Sequence, residues 1–310
     1  MAQFATWLLN DFEANPIDLG VNWKSGMEAA IRGQTWIWLA FLLCGSDRPR
    51  LSSALVHGIW SHIKHVEANL SRFSSANNHL MVEATTLFIA GVLFPEFEGS
   101  SSWRRTGERV ITDEIRRQVR PDGVSAEQSI HYHAFVLEAL LFMAILAKKN
   151  AIALDLIVLD RIRGMLSFLS AVTDDSGQVP AIGDSDDGRV SPLSRNGESY
   201  YSYVLTLGRE FGGRSVQGIH ASERALWVAG VEPIIAEATL CRAHQPLTMK
   251  AFRDSGYVVI QDTSNRSRLT FDGGPHGLEQ LCAHAHADAL SVTLSVRGVD
   301  ILIDSGTYVY

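Results

Sequence analysis

Four groups of polar residues stand apart from the surrounding apolar pattern, and their types are those that move protons or hold ions. The first is Asn77-Asn78-His79 with Glu83. Glu83 follows His79 by four positions, so on a helix the two share a face. An Asn-Asn-His ahead of an apolar helix also reads simply as an N-cap. The second group runs from Gln118 through Asp122-Gly123, Glu127 and Ser129 to Tyr132 and His133. Pro121-Asp122-Gly123 marks a turn into a new helix, and Ser125 with Gln128 has capping-box spacing at its start. On that helix Glu127 and His131 would stand i,i+4, with Tyr132 on another face; a helical Tyr is commonly a core residue.

The third group, Ile182-Gly183-Asp184-Ser185-Asp186-Asp187-Gly188, is an acidic, glycine-bounded loop. It lacks the spacing and closing Glu of an EF-hand, so a solvated or substrate-lining loop is the better reading than a calcium site. The fourth is His284-Ala-His286-Ala-Asp288, followed by a strand, the turn Arg297-Gly298, a second strand and Asp304-Ser-Gly-Thr. On a strand, His284, His286 and Asp288 would point the same way. His286 and Asp304 flank the outer ends of the hairpin and can meet across it. Histidine plus carboxylate suits zinc or another divalent cation if a further ligand arrives from elsewhere. The plain alternative is a satisfied surface histidine pair.

The elements that position these groups change character along the chain. To about Trp227, apolar residues recur at helical spacing, as in Met27, Ile31, Trp38 and Leu42, which predicts roughly eight to ten helices. Breaks fall at Asn15-Pro16, Gly45 to Arg50, Phe94 to Ser102, Pro121 to Gly123, and Thr173 to Glu198. After about Cys241 the runs at Gly256 to Gln261, Arg268 to Phe271, Leu290 to Val296 and Ile301 to Ile303 alternate with turn residues and read as strands. Helices followed by strands predict segregated α and β domains, 1–240 and 241–310, not a doubly wound sheet. The strand run ends with an unpartnered sheet edge, so the chain reads as truncated.

Composition narrows the function classes. The 310 residues are 46% hydrophobic and 20% charged, with formal net charge −7, ordinary for a globular protein and without the basic field of a nucleic-acid binder. A polyanionic ligand would need a local attraction. Arg104, Arg105, Arg116, Arg117 and Arg120 offer one, although such a run also reads as a solvated helix face. Cys44, Cys241 and Cys282 are odd in number and widely spaced, so no disulfide framework is expected and all three read as packing residues. The apolar stretch from Thr35 to Gly45 is far below the roughly 18 to 20 residues that span a bilayer. No signal peptide is recognisable at the N-terminus.

Taken together, Asn22-Trp23-x-Ser25-Gly26-x-Glu28 with Arg32, Asn78-His79, Gln118 through Tyr132-His133, Gly183-Asp184, Asp254-Ser-Gly-Tyr257, and His284-x-His286-x-Asp288 with Asp304-Ser-Gly-Thr resemble the heparinase II/III-like polysaccharide lyases. The resemblance implies an α+β chain: an (α/α) toroid of helical hairpins, then the beginning of an antiparallel β-sandwich. It implies β-elimination on a uronic-acid polymer such as heparan-type glycosaminoglycan, alginate or a bacterial exopolysaccharide. In that scheme Asn78 binds the uronate carboxylate with His79 beside it. Tyr132 is the catalytic tyrosine, and His284 is the histidine across the cleft. Glu83, Glu127, His133 and Asp184 are expected to line the substrate. His286 and Asp304 are expected to hold a structural divalent cation whose third ligand lies outside this chain. The family also implies a periplasmic or secreted location.

The chemistry calls for these types. Removing the C5 proton of a uronate builds charge on the carboxylate, which an amide donor such as Asn78 stabilises. An acid and a base are needed as well: Tyr132 as acid or as both, with His284 or His79 as base otherwise. Two other readings stand beside this one. One is an inverting glycoside hydrolase using Glu127 with Asp184 or Asp187. The other is a non-catalytic polysaccharide-binding or surface-polymer assembly protein. No partner protein, nucleic acid or oligomeric state is indicated.

Overall fold

A computed structural model describes residues 10, 14–43, 49–191, 198–212, 223–230, 247–278 and 282–307. Cys44, Cys241, most of the predicted break at 45–50 and the expected boundary at 240/241 lie outside them. The chain divides into two compact units, Met1–Ile111 with Val190–Pro192, and Thr112–Arg189 with Leu193–Tyr310.

In the first unit, α1 (Gly26–Leu42) starts at Ser25, whose hydroxyl accepts the Glu28 amide at 3.3 Å. It packs on α2 (Pro49–Ala68) and α3 (Asn78–Leu93). Glycine makes the close approach possible, because a Cβ on Gly58 would sit 2.7 Å from the Trp36 ring. Helix α3 is buried almost all round, as expected of a central helix rather than an amphipathic one. Buried polar groups on it are paired locally and across: Gln34 donates to the Thr86 hydroxyl at 2.7 Å, and the Thr85 and Thr86 hydroxyls donate to the Val82 carbonyl at 2.9 and 2.8 Å. Helix α4 (Ser100–Gln118) presses against α3, with Gly107 on the backbone at Ala84. The division between the units falls within α4.

The second unit contains the end of α4, then α5 (Ile130–Lys149), α6 (Leu156–Val172), α7 (Tyr200–Leu207) and α8 (Glu223–Ala229). Helix α5 is the longest apolar run, overtaking the Thr35–Gly45 stretch. By length and composition it passes for a membrane span, yet nearly all of it is buried inside the protein. Five strands follow in a plain antiparallel meander: β1 (Thr248–Phe252), β2 (Tyr257–Asp262), β3 (Ser267–Asp272), β4 (Val292–Val296) and β5 (Val299–Leu302). The β4–β5 turn is Arg297-Gly298 with φ of 55° and 77°, the left-handed pair of a two-residue hairpin. The sheet docks on α6, where Phe168 meets Phe252 and Tyr257 at 5.1 Å each. Gln261 donates to the Ala171 carbonyl at 2.7 Å.

The helices and the antiparallel sheet are the two element classes expected from the sequence. Two details differ. Strand β1 has an exposed pattern with one buried position, which leaves no alternation to read. Cys282 is exposed at φ 44° and is not a packing residue.

Candidate active site

In the second unit the site is assembled at the start of α5. The N-cap is Ser129, whose hydroxyl accepts the Tyr132 amide at 3.1 Å. The Ser125–Gln128 box expected from spacing is not formed, and Glu127 precedes the helix, so Glu127 and His131 are not an i,i+4 pair. Gln128 takes φ 59°, and that turn moves the N-cap to Ser129, four residues beyond the Ser125 that the capping pattern predicts.

The acidic loop is fastened to this helix start. Ser129 Oγ donates to the Asp184 carbonyl at 2.6 Å, and the Ile130 amide to the Ile182 carbonyl at 3.1 Å. Gly183, at φ 74°, is required here, since a Cβ would lie 2.4 Å from Ser129 Cα. The Gly183 amide donates to Asp288 Oδ2 at 2.7 Å, the Asp184 amide to the His284 carbonyl at 2.8 Å, and the Ser185 amide to Thr307 Oγ1 at 2.9 Å. Loop 182–188 is therefore clamped between α5 and the segment before β4.

That segment is not a strand. Residues 284–288 are irregular, with positive φ at Cys282, His284 and Leu290, so the predicted period-2 alignment of His284, His286 and Asp288 does not exist. Turn geometry brings the residues to their places instead. The His284 ring stacks on Tyr132 with centroids 3.6 Å apart and planes at 22°. Its Nε2 lies 3.8 Å from Glu127 Oε2 and its Nδ1 3.8 Å from Asp184 Oδ2, distances of charge attraction rather than hydrogen bonding. The imidazole thus stands between the two carboxylates. Burial, ahead of the opposing pull of His286, raises the Asp184 pKa. Tyr132 is 6% exposed, and its hydroxyl donates to Asp186 Oδ2 at 3.0 Å. The sequence placed Asp186 in the acidic loop but gave it no role; spacing carries no signal for a contact made across 54 residues.

His286 Nε2 is 3.7 Å from Asp304 Oδ1, and His286 Nδ1 is 3.7 Å from Asp288 Oδ2. His286 Nε2 is buried without a hydrogen-bond partner among the described residues. Two ligands of a tetrahedral zinc at ~2.1 Å stand about 3.4 Å apart, so this pair suits a shared cation. Among the described residues no group of three His, Cys, Asp or Glu is gathered to complete a cage. His133 is fully buried at some remove from solvent chemistry: Nδ1 accepts the Ser125 amide at 3.2 Å, and Nε2 lies 3.0 Å from the Met165 carbonyl. The carbonyl can only accept, so the proton is on Nε2. Burial lowers the His133 pKa to about 4.

In the first unit, Asn77 caps α3 through its side-chain oxygen, 3.3 Å from the His79 amide, and Asn78 is fully buried as the first helical residue. His79 is half-buried, and desolvation lowers its pKa against the field of Glu28. It borders an open cavity of about 620 Å³ that also exposes Lys24, Ser25, Glu28, Asn69 and Ser71. Glu83 lies buried beneath, accepting the Ser71 amide and hydroxyl at 2.7 Å each. Its pKa is raised to about 7, mainly by desolvation. Of the arginine run, Arg117 is paired with Glu114 at 2.7 Å, while Arg104, Arg105 and Arg116 are exposed.

Comparison with known proteins agrees with this architecture. Residues 1–204 match the family profile described as heparinase II/III N-terminus, and residues 244–310 the profile described as heparinase II/III-like, C-terminal. A heparin-sulfate lyase of Bacteroides stercoris is 23% identical over 295 residues, 90% of this chain and 38% of that protein. A heparin-sulfate lyase of Pedobacter heparinus is 39% identical over 71 residues, 23% of this chain and 11% of that protein. The crystal structure of heparinase III superposes with a TM-score of 0.70 at 19% identity, covering 99% of this chain and 47% of that one. The heparan sulfate lyase of P. heparinus, in a mutant form, gives 0.64 at 21%, covering 99% and 46%. The chain spans less than half the length of these relatives. With two thirds of its residues inside the first profile and the sheet inside the second, the chain belongs to the heparinase II/III family.

Proposed function

We propose that the protein is a polysaccharide lyase that cleaves a uronic-acid polymer by β-elimination. The observation that carries this reading is the Tyr132–His284 stack, a phenol and an imidazole face to face with carboxylates on both sides. A phenol and an imidazole are the two proton-transfer groups the reaction needs. In the reaction the C5–H bond breaks, the electron pair forms the C4–C5 double bond, and the C4–O bond opens as the leaving oxygen gains a proton. Tyr132 supplies that proton. His284 is the base for an anti elimination, and Tyr132 serves both roles for a syn one. In the family scheme that the sequence resembles, Asn78 would donate hydrogen bonds to the uronate carboxylate as charge develops there, with His79 beside it. Glu127 and Asp184 hold His284 and border the substrate. The domain division at 240/241, a periplasmic or secreted location and an acidic polysaccharide substrate belong to the same reading.

His286 and Asp304 would hold a zinc or similar divalent ion with a third ligand from beyond this chain. Such an ion supplies a fixed positive anchor that keeps the segment bearing His284 in place. The test is near-ultraviolet absorbance of the full-length protein with heparan sulfate, alginate and other uronate polymers. A rise with one of them is expected, because each cut leaves a conjugated unsaturated uronate. New reducing ends without absorbance would replace the lyase with a hydrolase.

A further inference from the structure

We infer that Asp186 positions the Tyr132 hydroxyl and takes its proton during turnover, making the tyrosine both base and acid; this rests on the lyase reading above. With its proton directed at Asp186 Oδ2, 3.0 Å away, Tyr132 turns its oxygen lone pairs toward everything else. The ring has no freedom to change this. His284 stacks on it at 3.6 Å and Phe135 meets it edge-on at 6.1 Å. The direction of the O–H bond is the soft coordinate, and the carboxylate sets it.

Asp186 is itself held. Its Oδ1 accepts the Gly188 amide at 2.7 Å and lies 3.2 Å from His131 Nε2. The same Nε2 is 3.1 Å from the Gly188 carbonyl. Both neighbours of that nitrogen accept only, so it carries the proton and His131 is a donor. His131 is 6% exposed, packed edge-on against Tyr132 at 5.6 Å and tilted on Tyr200 at 5.7 Å. The charged or titratable groups around this pair are His131 on α5, Tyr200 and Tyr201 on α7, Arg189 just past the acidic loop, and His284 before β4, with Glu127 and Asp184 beside His284.

The step balances. As the C5–H bond breaks, its proton forms a bond to Tyr132 Oη, whose own proton passes to Asp186 Oδ2. As the C4–O bond breaks, Oη gives the C5-derived proton to the leaving oxygen and recovers the proton held by Asp186. Substrate is cleaved, the double bond forms, and the protein is unchanged. A single phenol working on both bonds requires them on one face of the sugar, a syn elimination.

The experiment compares Asp186→Asn, Asp186→Ala and Tyr132→Phe in the full-length protein. Asparagine keeps a hydrogen-bond acceptor but cannot take the proton. Asp186→Asn is expected to lower kcat about a hundredfold, leave KM within about twofold, and abolish the acid limb of the pH–kcat profile with an unchanged melting temperature. Asp186→Ala should be no more active. Unchanged kcat in Asp186→Asn overturns the inference. So does a fall in kcat accompanied by a lower melting temperature and an intact acid limb, which marks a merely structural loop. If Tyr132→Phe is inactive while Asp186→Asn is normal, the lyase reading stands and this inference alone fails. If Tyr132→Phe turns over normally, or no polymer yields unsaturated product, both fail.

Discussion

Replacing Glu83 by Gln should change how stability depends on pH, and the size of the change follows from the geometry. The Glu83 carboxyl has no solvent exposure and accepts the Ser71 amide and hydroxyl; its pKa rises from 4.5 to about 7 in the folded protein. In the unfolded chain it ionises first, so between about pH 4.5 and 7 the folded state binds more protons. Its contribution is therefore complete below the unfolded value and is lost as pH rises through the folded one. The loss by pH 8 is on the order of 3 kcal/mol. Two buried histidines, His62 and His133, are lowered to about 4. Their contributions run the other way: complete above 6.5 and lost as pH falls. The parent's own curve mixes these opposing slopes, and the difference between Glu83→Gln and parent isolates the carboxyl. Glutamine keeps the volume and one acceptor, and the Ser71 hydroxyl can turn to accept from the amide. Denaturant unfolding at pH 4.5, 6 and 8 is the assay. The variant should match the parent at pH 4.5 and exceed it at pH 8. Parallel curves at all three values would refute the argument that desolvation governs this group.

Further outcomes are expected. Tyr132→Phe should abolish turnover and leave polymer affinity almost unchanged, read by product absorbance and equilibrium binding; retained turnover moves the acid elsewhere. Asn78→Ala should slow the reaction on the order of a hundredfold, and an unchanged rate removes its carboxylate role. Gly123→Ala should cost several kcal/mol, since φ is 90° and the new Cβ would meet Gly164 at 2.2 Å; overpacking and left-handed strain both exceed about 1 kcal/mol. A melting temperature equal to the parent's would contradict that contact. In the full-length protein, elemental analysis should find a divalent ion that His286→Ala loses, with a lower melting temperature on chelation; equal metal content in both proteins rules out His286 as a ligand.

What the sequence determined was the inventory and the broad order. Apolar period and turn residues marked the helices, the β2, β3, β4 and β5 strands, and the Arg297-Gly298 hairpin, because those signals are local; β2, β3 and β4 have buried positions, while β5, exposed throughout, was marked by its apolar run and the turn before it. The residue types for proton transfer and for the His286–Asp304 pair were also legible. Tertiary structure decided the rest. Which serine caps α5 depends on Gln128 taking a left-handed turn, and which contact Tyr132 makes depends on a loop 54 residues away. The segment 284–288 places its histidines by turns rather than by strand alternation, since the Gly183 and Asp184 amides fasten it to the acidic loop through Asp288 and the His284 carbonyl. Whether Glu83 and His133 meet solvent was fixed by packing, through Ser71 in one case and Ser125 with Met165 in the other. Spacing reports neighbours along an element; it carries no information on which buried donor arrives from a distant one, and that donor sets both charge state and role.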